Sequence, residues 1–367
     1  MRIVVHCEDI SPLSSGGVAG FATGISRGFA RAIGAGNVTM LCSDTDFELW
    51  RKEVPEVKVS PRRSFSQGWL GKSFKSILRR FPISHEVRRM VREKQNRSST
   101  DDVHYFPFHR GRVFGKNAFM TLHDMRVFDG AFADSPSARN IERNLKSCKG
   151  VFVSWRHPYQ LVREQFPRGI DRVFEVPFPA MLPRGSEEYA GRGNFLLYPA
   201  ATVPHKNHEV LLDYAVLPAS MPVVCVGPEN EPGFSEFRKR ASRLDRIEFR
   251  GRVSPAELNL LYSECEAVVV PSRYEAASGP IIEAFVRGIP VIAADTPSLR
   301  AQMSQCGGDA PYFEPSSADS LAHAVGVLEQ DRDFYEMSAR IGGSWYDGLS
   351  WDQTAQTYIE IMSRELS

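Results

Sequence analysis

The feature that most constrains the fold is an alternation of short apolar runs with helical segments. The runs AVVVPS (Ala267–Ser272) and IPVIAA (Ile289–Ala294) are continuously apolar and rich in β-branched residues. Such runs are typical of strands buried on both faces of a parallel sheet. Between them, Gly279 and Pro280 mark a helix start, and Gly288 has the place of a C-terminal cap. The segment therefore predicts a strand–loop–helix–strand unit.

The same alternation recurs along most of the chain. RIVVHC, VTMLCS, VHYF, AFMTLHD and GVFVSW predict strands in the first half, and NFLLYPA, MPVVCVG and RIEFRG predict strands in the second. A Pro/Gly/Ser-rich stretch, Pro177–Gly193, reads as a linker between the halves. Because strands that alternate with helices specify parallel sheets, we expect an α/β protein with two doubly wound, Rossmann-like domains facing a cleft. The expected domains are residues 1–180 and 190–350.

Composition narrows the class further. The chain has 367 residues, 42% of them hydrophobic, with a net charge of +1. No run of about 18 apolar residues is present and the N-terminus lacks a signal-peptide layout, so we expect a cytoplasmic protein. The six cysteines are scattered without paired spacing, which indicates reduced, mostly buried thiols. The nine histidines form no metal-binding pair on a helix, so no structural metal is expected.

Charge is distributed unevenly. The segment Arg51–Arg97 contains fourteen Lys and Arg residues against four Glu. Within it, WLGKSFKSILRRF has the spacing of a basic amphipathic helix. Such a helix either packs its apolar face into the first domain or docks on an anionic membrane surface, on the inner face of the cytoplasmic membrane. No nucleic-acid motif accompanies it, so nucleic acid is not an expected partner. The candidate membrane-facing residues are Trp69, Lys72, Lys75, Arg79 and Arg80.

Several segments together resemble one family. Glu275 and Glu283 form a Glu-x7-Glu motif on the strand–loop–helix unit. SSGGVAGF, TLHD, PHKNHEVLL, FRGRVSPAELNLLYSECEAVVVPS and GGDAPYFEPSSADSLAHAV occur in the family's order. Nearly the whole chain is thus similar to retaining glycosyltransferases of the GT-B fold, family 4 (glycosyl transferases group 1), and PHKNH resembles the mannosyltransferases among them. The resemblance also implies that the terminal helix, within residues 351–367, crosses back to the first domain.

The resemblance implies a catalytic set of His123, Lys206 and Glu275. Lys206 would meet the donor diphosphate, Glu275 the hydroxyls of the donor sugar, and His123 the reacting sugar from the other side of the cleft. Each has a plainer alternative: a lysine that opens a helix, a solvated loop carboxylate, and a histidine hydrogen-bonded at a strand end. Many family members also carry an arginine shortly before the lysine, and none occurs between Tyr198 and Lys206.

The resemblance also implies a donor-binding set. Glu283 would hold the ribose hydroxyls, or else complement a helix dipole from the first helical turn. Backbone N–H groups at a helix N-terminus suit phosphate, and glycines let a backbone approach closely, or simply form a turn. Both glutamates would be satisfied by ligand hydroxyls rather than by protein partners. The implied donor-binding residues are Gly16, Gly17, Arg252, Val253, Ser278, Gly279 and Glu283, with Arg252 and Val253 near the nucleobase.

The implied activity is transfer of a hexose, mannose from GDP-mannose by preference, to a glycan or lipid-linked acceptor in surface polysaccharide synthesis. The nucleotide-sugar is a co-substrate, and no cofactor or metal is implied. Two alternatives stay open. A GT-B nucleotide-sugar 2-epimerase needs no acceptor, and a non-catalytic nucleotide-sugar-binding protein with a degenerate site is consistent with the missing arginine and the altered AASGP loop.

Overall fold

The structure is a computed structural model that describes the chain apart from residues 14–15, 63–100, 110–112, 124, 126–135, 167–169, 183, 186–187, 190–192 and 230–233. The basic helix predicted around Trp69, Lys72, Lys75, Arg79 and Arg80 lies outside the described residues. Its membrane docking therefore stays a prediction.

The first half of the chain builds a parallel sheet of seven strands. They are β1 (Ile3–Cys7), β2 (Val38–Cys42), β3 (Lys58–Pro61), β4 (Val103–Phe106), β5 (Ala118–Thr121), β6 (Gly150–Val153) and β7 (Val173–Glu175). The spatial order is β3-β2-β1-β4-β5-β6-β7. Strands β2 and β3 are added on one side of β1, and β4 to β7 are added on the other. The topological switch point therefore lies between β1 and β4, and such a point leaves a crevice beyond the strand ends.

The second half builds a parallel sheet of six strands. They are β8 (Leu196–Pro199), β9 (Val223–Val226), β10 (Ile247–Phe249), β11 (Ala267–Val270), β12 (Val291–Ala294) and β13 (Tyr312–Phe313). Their order is β10-β9-β8-β11-β12-β13, which places the switch point between β8 and β11. The two doubly wound sheets confirm the predicted architecture.

Twelve helices of at least seven residues are described alongside these strands. They are α1 (Gly16–Ile33), α2 (Phe47–Glu53), α3 (Pro136–Ser147), α4 (Arg156–Gln165), α5 (His208–Ala215), α6 (Phe234–Ala241), α7 (Pro255–Glu264), α8 (Gly279–Phe285), α9 (Pro297–Cys306), α10 (Ala318–Gln330), α11 (Arg332–Asp347) and α12 (Trp351–Leu366). The predicted start of α8 at Gly279 is confirmed, and Gly288 has the positive φ of 70° that its place after the helix requires.

The last helix, α12, packs on α1 of the first domain, as the resemblance implied. Two glycines of α1 permit the close approach: a Cβ at Gly24 would lie 2.1 Å from Cε2 of Trp351, and one at Gly28 would lie 2.5 Å from the Trp351 carbonyl oxygen. Further along α12, Tyr358 stacks on Phe152 with ring centroids 3.7 Å apart. Small residues on one helix and aromatic residues on the other thus fix this crossing.

All six cysteines are buried and free, as predicted. Burial raises the pKa of the Cys225 and Cys265 thiols, which keeps both protonated and unreactive. No helix in the described part of the chain is long and apolar enough to cross a membrane. The described residues also bring together no cluster of three or more His, Cys, Asp or Glu side chains with metal-binding geometry.

Candidate active site

The switch point of the second sheet positions the predicted catalytic lysine. After β8 the chain forms a short 3-10 turn, Pro204–Lys206, that ends at Asn207 in the left-handed region with φ 56° and ψ 43°. The Asn207 side chain donates to the carbonyls of Pro271 (2.9 Å) and Pro315 (2.7 Å). The Tyr198 hydroxyl donates to the carbonyl of Lys206 (2.8 Å). These bonds tie the turn to β8 and to the segments after β11 and β13.

Lys206 and Glu275 form an ion pair at this edge of the sheet. Lys206 Nζ lies 2.5 Å from Glu275 Oε1, and the two side chains are only 19% and 7% exposed. Lys206 is therefore largely buried and paired, and it lies at the end of the 3-10 turn, two residues before α5 begins. The backbone N–H of Glu275 donates to Ser298 Oγ (3.2 Å), which anchors the loop on α9.

Glu283 lies one helical turn deeper than the sequence indicated. It is the fifth residue of α8, and the first turn of that helix contains no acidic residue, so the dipole interpretation is wrong. Its Oε2 accepts a hydrogen bond from the Tyr262 hydroxyl (2.9 Å). Burial raises the pKa of Glu283, although the Tyr262 hydroxyl, the Arg287 charge and the Leu182 backbone each favour the ionised form.

The expectation that ligand hydroxyls alone would satisfy both glutamates is therefore corrected. Glu275 has Lys206 as its partner, and Glu283 has Tyr262. The reason is the cost of an unpartnered buried carboxylate, which the protein avoids with its own side chains. Each carboxylate has more acceptor sites than these bonds use.

Gly279 begins α8 as predicted and Ser278 is its N-cap residue, whose N–H group is already engaged within the protein. The N–H of Ser278 donates to Gln302 Oε1 (2.8 Å), and Gln302 Nε2 returns a bond to the Ser278 carbonyl (3.1 Å). The N–H of Gly279, at the first helical position, has no acceptor within the helix. A Cβ placed at Gly279 would meet nothing within 4 Å, so this backbone faces open space.

The first domain provides the opposite wall of the cleft, where His123 follows β5. His123 Nε2 lies 2.9 Å from the Pro107 carbonyl, and the ring packs edge-on against Phe21 at a centroid distance of 4.4 Å. Two residues further on, the Met125 N–H donates to the hydroxyl of Tyr274 (3.2 Å), the residue before Glu275. This bond across the cleft brings the His123 loop next to the Glu275 loop.

Of the remaining predicted residues, Arg252 contacts the first domain next to the predicted glycines. Gly16 begins α1, and Gly17 follows on its first turn. The exposed Arg252 guanidinium donates to the Leu13 carbonyl (2.7 Å), just before this helix start. Val253 is partly buried and packs against the core. Arg252 thus bridges the two domains beside the glycines.

Sequence reasoning missed several residues that shape the site. Tyr262 and Arg287 hold Glu283 from α7 and from the residues after α8, with the guanidinium 4.8 Å from the Tyr262 ring centroid. The turn at Asn207 could have been predicted, because asparagine tolerates the left-handed region better than most residues. Next to the lysine, where the expected arginine is missing, the N–H of Arg273 donates to the His205 carbonyl (2.8 Å).

Comparison with known proteins agrees with this geometry. Residues 184–344 match the family described as Glycosyl transferases group 1. The matched segment comprises 161 of the 367 residues. It contains Lys206, Glu275 and Glu283, together with Tyr262.

Similarity to curated proteins and solved structures extends over both halves. O-antigen chain mannosyltransferase B of Escherichia coli is 24% identical over 311 residues, covering 77% of this chain and 81% of that protein. O-antigen chain mannosyltransferase RfbU of Salmonella typhimurium is 25% identical over 221 residues, 59% of this chain and 62% of that protein. The Anabaena HepE structure with UDP-glucose superposes with a TM-score of 0.73 at 15% identity, covering 99% of this chain and all of HepE. The chain has the GT-B fold.

Proposed function

We propose that this protein is a retaining glycosyltransferase of family 4 that moves a hexose from a nucleotide-sugar to a hydroxyl of a glycan or lipid-linked acceptor in surface polysaccharide synthesis. The observation that carries the proposal is the Lys206–Glu275 pair at the switch point of the glycosyltransferase domain. An ammonium beside a carboxylate suits a ligand in which a phosphate adjoins sugar hydroxyls, because the ammonium binds the first and the carboxylate the second.

We infer mannose as the sugar and GDP-mannose as the donor. Two relatives that are similar in sequence are O-antigen mannosyltransferases. The HepE structure contains UDP-glucose, but at 15% identity that likeness concerns the fold and does not extend to the donor. The names of the sequence relatives therefore support mannose over glucose.

In the proposed reaction, the bond from the anomeric carbon to the phosphate oxygen breaks as the acceptor oxygen attacks from the same face. The departing phosphate oxygen takes the acceptor's proton, so no protein nucleophile is needed. Lys206 and the N–H of Gly279 counter the charge that grows on the phosphate, and His123 faces the sugar from the first domain. We infer that this reaction needs no added metal, so EDTA is expected to leave the rate unchanged.

Calorimetric titration tests the proposal. GDP, UDP, GDP-mannose and UDP-glucose are titrated into wild type and Glu283→Ala. We expect the guanine nucleotides to bind and the variant to lose at least tenfold in affinity, because Glu283 holds the ribose. The matched control is Glu257→Ala, an exposed first-turn glutamate of α7. If none of the four compounds binds at millimolar concentration, the degenerate-site alternative replaces the transferase.

A further inference from the structure

The first domain contains a cavity of about 240 Å³, and its lining residues all belong to that domain. It lies beyond the carboxyl ends of β1 and β4, at the switch point of the first sheet, where open α/β sheets bind ligands. We call it the β1–β4 pocket, and its lining includes the polar residues His6, Glu8, Asp9 and Arg62 and the rings of Phe106, Phe108 and Phe114. We propose that the β1–β4 pocket binds one neutral sugar ring of the acceptor. This inference rests on the proposed transferase activity.

The size of the pocket limits its occupant. Pockets that enclose drug-sized ligands measure roughly 300–1,000 Å³, so a cavity of about 240 Å³ lies below that range. A single monosaccharide fits this volume better than an oligosaccharide segment does. The rest of the acceptor would then extend out of the pocket.

The walls combine the two surfaces that a sugar ring needs. Phe106, Phe108 and Phe114 give apolar contact for C–H groups, and Phe106 and Phe114 stand edge to face with centroids 5.2 Å apart. The carboxylates of Glu8 and Asp9 line the same cavity and accept hydrogen bonds from hydroxyls.

Fixed contacts hold the polar wall in place before any ligand arrives. His6 Nδ1 lies 3.2 Å from Glu8 Oε1, and His6 Nε2 lies 3.0 Å from His104 Nδ1. Arg62 donates to Glu8 Oε1 (2.6 Å). A carboxylate held from two sides loses little freedom when it accepts a ligand hydroxyl, which favours binding.

The charge of the pocket argues against a phosphate. Arg62 is already engaged by Glu8 and by the face of Phe114, whose centroid lies 4.9 Å from the guanidinium carbon. Among the described lining residues, Asp9 then adds a negative charge that Arg62 does not offset. An anionic head group would be repelled, whereas a neutral sugar would not.

The position of the pocket connects it to the reaction. Phe108 lines the pocket, and its ring centroid lies 6.4 Å from that of His123. His123 lies in the loop after β5, and Met125 of the same loop contacts Tyr274 across the cleft. A sugar in the pocket therefore lies on the His123 side of the cleft, opposite the donor domain.

Saturation-transfer NMR titrations test the proposal with methyl α-mannoside, methyl α-glucoside, methyl β-galactoside and farnesyl phosphate as probes. The proteins are wild type, Glu8→Gln and Asp9→Asn, with Glu48→Gln as control, since that exposed glutamate lies on α2. We expect one glycoside to bind wild type and Glu48→Gln alike. Its affinity should fall about tenfold or more in Glu8→Gln, since bonds to charged groups are the stronger ones.

Nucleotide titration of the same proteins separates this inference from the transferase proposal. Intact nucleotide affinity in Glu8→Gln shows that the variant is folded, and a loss confined to the glycoside supports the pocket. The pocket proposal is overturned if the glycosides bind all four proteins equally, if only farnesyl phosphate binds, or if none binds a protein that binds nucleotide. If wild type binds none of the nucleotides, the transferase proposal is overturned instead.

Discussion

The ion pair between Lys206 and Glu275 predicts a large energetic coupling. Lys206→Met leaves a carboxylate that is only 7% exposed without its cation. Removing one partner of a buried pair costs about 3–5 kcal/mol, and the 19% exposure of Lys206 places the expected loss near the lower value, ~3 kcal/mol. Glu275→Gln keeps an oxygen that accepts from Lys206, so we expect a loss of only ~1 kcal/mol.

The double variant separates the pair from its single residues. Lys206→Met with Glu275→Gln removes both charges, so neither is left buried and unpaired. We expect it to lose about 1–2 kcal/mol of unfolding free energy, well below the ~4 kcal/mol that the single losses would add up to. The coupling energy is then ~2–3 kcal/mol.

Urea unfolding at pH 7, followed by tryptophan fluorescence, measures the four proteins of this cycle. The matched control is a second cycle on Arg31 and Asp352, which are also 2.5 Å apart but have side chains 50% and 60% exposed. Exposed pairs couple by less than about 1 kcal/mol. Equal coupling in the two cycles would refute the reasoning, because burial would then have no influence.

Three further outcomes follow from the structure. Gly24→Ala should lose ~1–3 kcal/mol in urea, because the new Cβ would lie 2.1 Å from Cε2 of Trp351, whereas Gly36→Ala, with no atom within 4 Å, should be near neutral. Nucleotide affinity, measured by calorimetry against pH, should fall as Glu283 becomes protonated, at a pH above the usual 4.5 because its pKa is raised, and Glu283→Gln should lack this step. Burial and the Lys206 charge lower the pKa of His208 from 6.5 to about 3, so the unfolded chain takes up this proton first as pH falls. Stability should drop by ~2 kcal/mol between pH 7 and 5, and His208→Phe should lack that drop.

Much of the fold was predictable because its buried strands are continuous apolar runs in the sequence. Strands β9 and β11 are fully buried and read as continuous β-branched runs, so periodicity and turn residues located them. The strands β3, β7 and β13 were missed. They are two to four residues long and only partly buried at the sheet edges, so their side chains carry no apolar run.

The site was harder to predict, because its pairs are distant in sequence. Lys206 and Glu275 were each identified through the resemblance, but 69 positions separate them and no local pattern indicates that they touch. His6 and His104, at the β1–β4 pocket, are 98 positions apart. Their meeting depends on the strand order, which a single sequence does not specify.

Under the proposed function, the partners of Glu275 affect how tightly a nucleotide-sugar binds. A diphosphate that takes Lys206 draws the ammonium away from Glu275 Oε1 and leaves a buried carboxylate with fewer donors. That loss opposes binding of a nucleotide alone. A nucleotide that carries its sugar supplies hydroxyl donors to the carboxylate in the same step, so the opposing term is removed. Under the proposed function, Lys206 and Glu275 should therefore bind the intact donor more tightly than the nucleotide product, and this difference would favour product release after transfer.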